Sequence, residues 1–374
     1  MCEKWQRQSR GLVKSPRLEN KELVMERFIE ATQKASNGAF GEAEARKMLD
    51  EILQSAGQTR MHSASIGQFF ADWLESKKST KAKGTAQRYR NVVEPFLAHL
   101  GAQRAGNSLA NLTVRDMEGF RDLEVRAGKA AKTANMAVKT LRIALNTARR
   151  QGLILSNPAE AIDHLPENSA ERGTFTPAQL AALLGVADEE WRGMILLGAT
   201  CGLRLGDAAR LTWANVDTAR KVIHLHPQKT AHGARRKELE VPMLPDLENY
   251  LLALPLKSSN PHAPLFPALS RKKVTGRAGL SNTFTRLIGE AGIDNEAASA
   301  ETHGKGRTVF RLGFHALRHT YVSIMANMGV SKELRMKLAG HTSNAHDRYS
   351  HHELETYREA LKGFPSLASE TGAK

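Results

Sequence analysis

Between Ser65 and Leu165 the apolar residues recur every three or four positions and almost nowhere alternate. That period matches a helix face and not a pleated strand, so the segment is restricted to packed helices. Phe69, Phe70, Trp73 and Leu74 form one stripe, and Tyr89, Val92, Val93, Phe96, Leu97 and Leu100 form a second. Thr113 has the side chain of an N-cap ahead of Met117, Phe120 and Leu123. A fourth helix is expected from about Thr133 to Gln151, burying Met136, Leu141, Ala144 and Leu145, with Lys139 and Arg142 nearby and Asn157-Pro158 closing it. Four such helices make a small helical domain. The polar run that follows, through Glu167, Asn168, Ser169 and Gly173, reads as a linker.

Beyond the linker, Thr176-Pro177 pairs an N-cap with a proline at the first helical position. Strand signals are confined to Leu211–Val216, Val222–His226 and Leu239–Val241, and the rest is helical. The second domain is therefore expected to be mainly α with one small antiparallel sheet. The polar N-terminus shows one clear helical pattern, Glu42 to Ser55, after a turn at Ala35 to Gly38. These readings divide the chain into an N-terminal extension (1–63), a helical domain (64–165), a linker (166–173), a second domain (174–365) and a flexible tail (366–374).

The net charge is +15, of which +7 falls within residues 61–165 and +6 within 166–374. Spread over two folded segments, this excess points to a polyanion followed over some distance, nucleic acid foremost. The longest apolar run, Met194 to Leu203, is far below the roughly 18 residues of a membrane span, so no membrane partner is expected. The N-terminus lacks the apolar core of a secretory signal. Two cysteines, Cys2 and Cys201, make no disulfide framework, and the expected compartment is the cytoplasm.

Four local patterns carry residues suited to phosphate chemistry. Gly202-Leu203-Arg204 ends an apolar helix with a glycine and places an arginine where the next helix begins, near backbone N–H groups that favour an anion. Lys229 lies at the end of the second strand signal. His315 and Arg318, three apart in His315-Ala316-Leu317-Arg318-His319-Thr320, share a helix face. Gly340-His341 precedes Asp347-Arg348-Tyr349, whose phenol stands among polar neighbours. Taken singly, each has a plainer alternative as a solvated surface residue. The four-residue step from His315 to His319 also matches a zinc-binding helix, yet Ala316 stands where the general-base glutamate would be. A zinc hydrolase of that type is excluded; a structural metal, with His341, His346, His351 or His352 as third ligand, stays open.

Taken in order behind a helical domain of this size, the Gly-Leu-Arg box, the hairpin lysine, the His-x-x-Arg-His-Thr box, the Gly-His box and the trailing tyrosine resemble the tyrosine recombinases. This is the phage-integrase family that includes the Xer and Cre recombinases, and the resemblance runs from about Ser65 to Gly363. It implies the DNA breaking-rejoining fold, a helical core-binding domain joined to an α-rich catalytic domain, closing on a duplex. Tyr349 would attack a scissile phosphate and form a 3′-phosphotyrosyl link, releasing a 5′-hydroxyl. Arg204 and Arg318 would clamp the non-bridging oxygens, Lys229 would protonate the leaving oxygen, His315 would assist proton transfer, and His341 would donate to the phosphate. A phenol titrates near pH ~10, so it needs a base or a positive field to attack. Donors preorganised around the transition state supply roughly 3 kcal/mol each, which removes the need for a metal. The covalent link conserves the phosphodiester energy, so no ATP or other cofactor is implied.

The resemblance further implies a mobile-element integrase acting on double-stranded DNA as a homo-tetramer on paired sites, and monomeric or dimeric off DNA. Accessory DNA-bending proteins are further candidate partners. Lys132, Lys139 and Arg142 are the candidate phosphate contacts of the helical domain, and Glu353 to Lys362 is expected to pack on a neighbouring protomer. Two departures stand out: His341 and Tyr349 are eight residues apart where nine is common, and the first 60 residues show no strand-rich arm-binding domain. A type IB topoisomerase, a catalytically idle DNA-binding descendant and a metal-dependent nuclease are the alternative functions.

Overall fold

In a computed structural model the described residues are 16–38, 40–56, 63–167, 173–226, 239–255, 260–296, 310–340 and 354–367. They divide into two compact units at Asn168–Ser169.

The first unit begins with two helices, α1 (Pro16–Ser36) and α2 (Glu42–Ser55). Only α2 shows in the sequence pattern. The α1 helix is held by ion pairs, Arg27 with Glu51 at 2.7 Å and Lys34 with Glu44, while Val24, Met25, Phe28 and Ile29 remain exposed. Four longer helices follow: α3 (Ile66–Thr80), α4 (Lys83–Ala105), α5 (Val114–Arg126) and α6 (Ala131–Arg150). Ser65 caps α3, and Thr113 caps α5 reciprocally with Asp116, as their side chains favour. Phe70, Phe96 and Phe120 meet edge to face at the centre, with centroids 5.5 and 5.3 Å apart. Against them α6 packs Ala137, Val138, Leu141, Ala144, Leu145 and Ala148. Met136 is not among them. It is 39% exposed, because the buried stripe of α6 runs through positions 134, 137, 138 and 141 and leaves 136 on the far side.

The second unit contains α7 (Pro177–Val186), α8 (Glu189–Thr200), α9 (Leu205–Ala208), strands β1 (Val216–Asp217), β2 (Val222–Leu225) and β3 (Leu239–Pro242), then α10 (Pro245–Ala253), α11 (Pro267–Ser270), α12 (Leu280–Glu290), α13 (Phe314–Asn327), α14 (Lys332–Leu338) and α15 (Leu354–Leu361). The strands pair antiparallel in the order β1-β2-β3, with Ile223 opposite Val216 on one side and Val241 on the other. The mainly α class with one small sheet is as expected. The first strand is far shorter than Leu211–Val216: the Asn215 side chain accepts from the Thr212 N–H at 2.9 Å and closes a 3-10 turn over Trp213–Asn215. A local side-chain bond there displaces strand pairing.

Central to this unit is α8, buried from Met194 to Thr200 and packed along α13. Gly198 permits the approach, since a methyl group there would lie 2.8 Å from Leu317 Cδ1. The C-terminal helix α15 also makes contacts within its own chain. Leu361 is buried with Tyr321, Met325, Leu334 and Leu338, and Arg358 donates to the Arg220 carbonyl. Ser366 and Leu367, assigned by sequence to a flexible tail, are tied to the Asp246 carboxylate, and Leu367 is buried.

Candidate active site

The site is built where α8 ends. The N–H groups of Cys201 and Leu203 both donate to the Leu197 carbonyl at 3.2 Å, and Gly202 between them takes φ +63°, the left-handed conformation that stops a helix. A Cβ at this glycine would also fall 2.7 Å from Tyr321 Cδ1. The chain then turns into α9 with Arg204 at the N-cap position. The Arg204 side chain is 26% exposed, and its Nη1 lies 3.9 Å from Asp207 Oδ2.

Arg318 comes to the same turn from α13. Its side chain is buried, and Nη1 donates to the Gly202 carbonyl at 2.7 Å across 116 positions of sequence. Burial first, and the nearby Arg204 charge second, lower its pKa to about 10, partly opposed by Asp207. It remains protonated at neutral pH. Two guanidinium groups therefore converge on one turn, with the Asp207 carboxylate near both, an arrangement that favours a bound anion. The next residue but one anchors the helix: the Thr320 hydroxyl accepts from the buried Phe175 N–H at 2.8 Å and donates to the Ala316 carbonyl at 2.9 Å. Nothing in the sequence pattern marked that role for Thr320, beyond its following the His-x-x-Arg box.

His315 lies exposed in the first turn of α13, its ring 4.8 Å from that of His319 and nearly perpendicular to it. Among the described residues no group of three metal-ligating side chains is assembled. Tyr321 is fully buried, and burial drives its phenol well above the ordinary range, so it is no candidate nucleophile. Tyr357 packs on the Tyr321 and Leu361 cluster. Lys229 falls in 227–238, and His341 and Tyr349 in 341–353, all outside the described residues.

In the first unit Lys132 and Lys139 stand exposed on α6. Arg142 does not join them. It is half-buried, donating from Nε to the Ala159 carbonyl at 2.9 Å and from Nη2 to that of Ile162 at 3.1 Å. These donors hold the 3-10 turn Pro158–Ala161 against α6.

Residues 174–355 match the phage integrase family, and residues 65–164 match the phage integrase SAM-like domain. The chain belongs to the phage integrase family of tyrosine recombinases. A XerC-like tyrosine recombinase of Caldanaerobacter subterraneus subsp. tengcongensis is 23% identical to it over 359 residues, covering 87% of each chain. Among solved structures, a lambda integrase dimer bound to a COC′ core site resembles the recombinase with a TM-score of 0.56 at 16% identity, over 78% of this chain and all of that one. A lambda integrase tetramer bound to a Holliday junction gives 0.55 at 17%, over 82% and 90%. At such identities the likeness speaks for the fold of the recombinase. Among its described residues no helix is long and apolar enough to cross a membrane.

Proposed function

We propose that this tyrosine recombinase cuts and rejoins duplex DNA at specific sites through a 3′-phosphotyrosyl intermediate on Tyr349. The observation that carries the reading is the buried Arg318, held on the Gly202 carbonyl beside Arg204. A scissile phosphate entering there would meet two planar donor sets, that of Arg318 already desolvated, so the charge gathering in the transition state requires little reorganisation. Lys229 protonates the leaving 5′-oxygen, His315 assists proton transfer, and His341 donates to the phosphate. Residues 64–165 form the DNA-binding domain, 174–365 the catalytic domain, and 166–173 the linker. By analogy with the integrase tetramer on a Holliday junction, four copies act together on paired sites, with DNA-bending proteins as candidate accessories.

The test is covalent trapping on duplexes from the ends of the encoding element, each nicked beside the cleavage point so that a short strand diffuses away. The expected result is an SDS-resistant adduct, formed without added metal and absent in Tyr349→Phe. An adduct surviving that substitution would move the nucleophile to Tyr357. Specific binding with no adduct from either protein would favour an idle DNA-binding descendant, and relaxation of supercoiled plasmid without sequence preference a topoisomerase.

A further inference from the structure

The α6 helix has a second face. Its sequence contains five basic residues and no Asp or Glu. Arg142 is held by backbone carbonyls and Arg149 by Glu160 at 2.9 Å. The remaining cations, Lys132, Lys139 and Arg150, are exposed. At 100° per residue they fall on one line along the helix, about 27 Å from end to end. Met136 and Ile143 lie on that same line, each 39% exposed, although the opposite face of α6 buries its apolar residues fully. An apolar side chain on a wholly basic stripe gains nothing from water, but it suits a surface that is anionic at its edges and apolar at spaced points within.

The major groove of a duplex is such a surface. It admits a helix, its walls are phosphates, and each thymine presents a methyl group on its floor. We propose that the 132–150 line of α6 lies in the major groove of the recombination site, where Met136 and Ile143 read thymine methyl groups while Lys132, Lys139 and Arg150 contact phosphates. This rests on the reading of the chain as a site-specific recombinase and assigns part of its site preference to two residues of the first unit.

The experiment uses the full chain and a pool of duplexes randomised over two helical turns, selected by binding and sequenced, with wild type, Met136→Ala, Ile143→Ala and Lys139→Ala in parallel. Alanine is the best helix former and both apolar positions are exposed, so the variants keep the fold. Wild type should enrich a motif. Met136→Ala and Ile143→Ala should each relax the preference for a T·A pair about tenfold, at different positions, and leave the slope of log K against log salt unchanged. Lys139→Ala should weaken binding to all sequences and reduce that slope by about one. Unchanged motifs in both apolar variants, or a uniform loss of affinity for every sequence, would overturn the proposal while leaving the recombinase reading intact. If wild type enriches no sequence, the site-specific reading falls, and this inference with it.

Discussion

Arg318 is a buried cation whose nearest charged neighbours include a second cation, and its behaviour follows from that. A bound oxyanion offsets both the burial and the repulsion from Arg204 that lower its pKa to about 10. Sulfate should therefore raise the melting temperature of the DNA-free protein, adding about 1.4 kcal/mol at ten times its dissociation constant. Arg318→Met should abolish most of that gain, which scanning calorimetry would reveal. The sign with pH is fixed: the guanidinium is charged well below pH 10, so the sulfate effect should hold from pH 6 to 9 and fade as the pH rises through about 10. In the trapping assay Arg318→Lys should also slow adduct formation, by roughly a hundredfold or more, because an ammonium cannot reproduce the paired donors. The order and identity of these residues were legible in the sequence. That Arg318 is buried and held by the Gly202 carbonyl was not, because the contact exists only once α8 and α13 pack.

Capped helices were the most legible elements. Thr113 and Thr176 each mark a helix start with a reciprocal side-chain bond to the third residue, and the structure begins α5 and α7 immediately after them. Where the same kind of cap closed a short 3-10 turn inside an apolar run, the reading failed, as at Thr212 and Asn215. The α1 helix escaped because its apolar residues face outward and its contacts to α2 are ionic. Two substitutions test what holds α13 in place. Thr320→Val should leave the buried Phe175 N–H without an acceptor and cost about 1–3 kcal/mol in denaturant unfolding, with Thr320→Ser restoring most of it. Gly202→Ala meets both the positive φ and the Tyr321 ring, so it should destabilise by a similar amount and slow cleavage as well. Equal stability in Gly202→Ala and wild type would mean that the turn relaxes freely. Leu361→Ala, which opens the cluster over Tyr321, should cost about 2–4 kcal/mol.

At the scale of the whole molecule, the +15 charge predicts that DNA affinity falls steeply with salt, by orders of magnitude between 50 and 200 mM, if six or more phosphates are neutralised. A shallow dependence in a filter-binding titration would show that the excess charge lies away from the duplex. Each of the two units buries an apolar cluster of its own, and the residues of both clusters already stood out in the sequence as helical stripes and short apolar runs. Which acid or base sits against which backbone group was not visible, because those pairs join distant positions. The bond between Arg318 and the Gly202 carbonyl is such a pair, and it has a consequence for descent. A genetic crossover anywhere between these two positions, 116 apart in the sequence, assigns one half of the pair to each parent. Mosaic integrases that survive in nature should therefore descend from parents that both carry the glycine turn and the buried arginine.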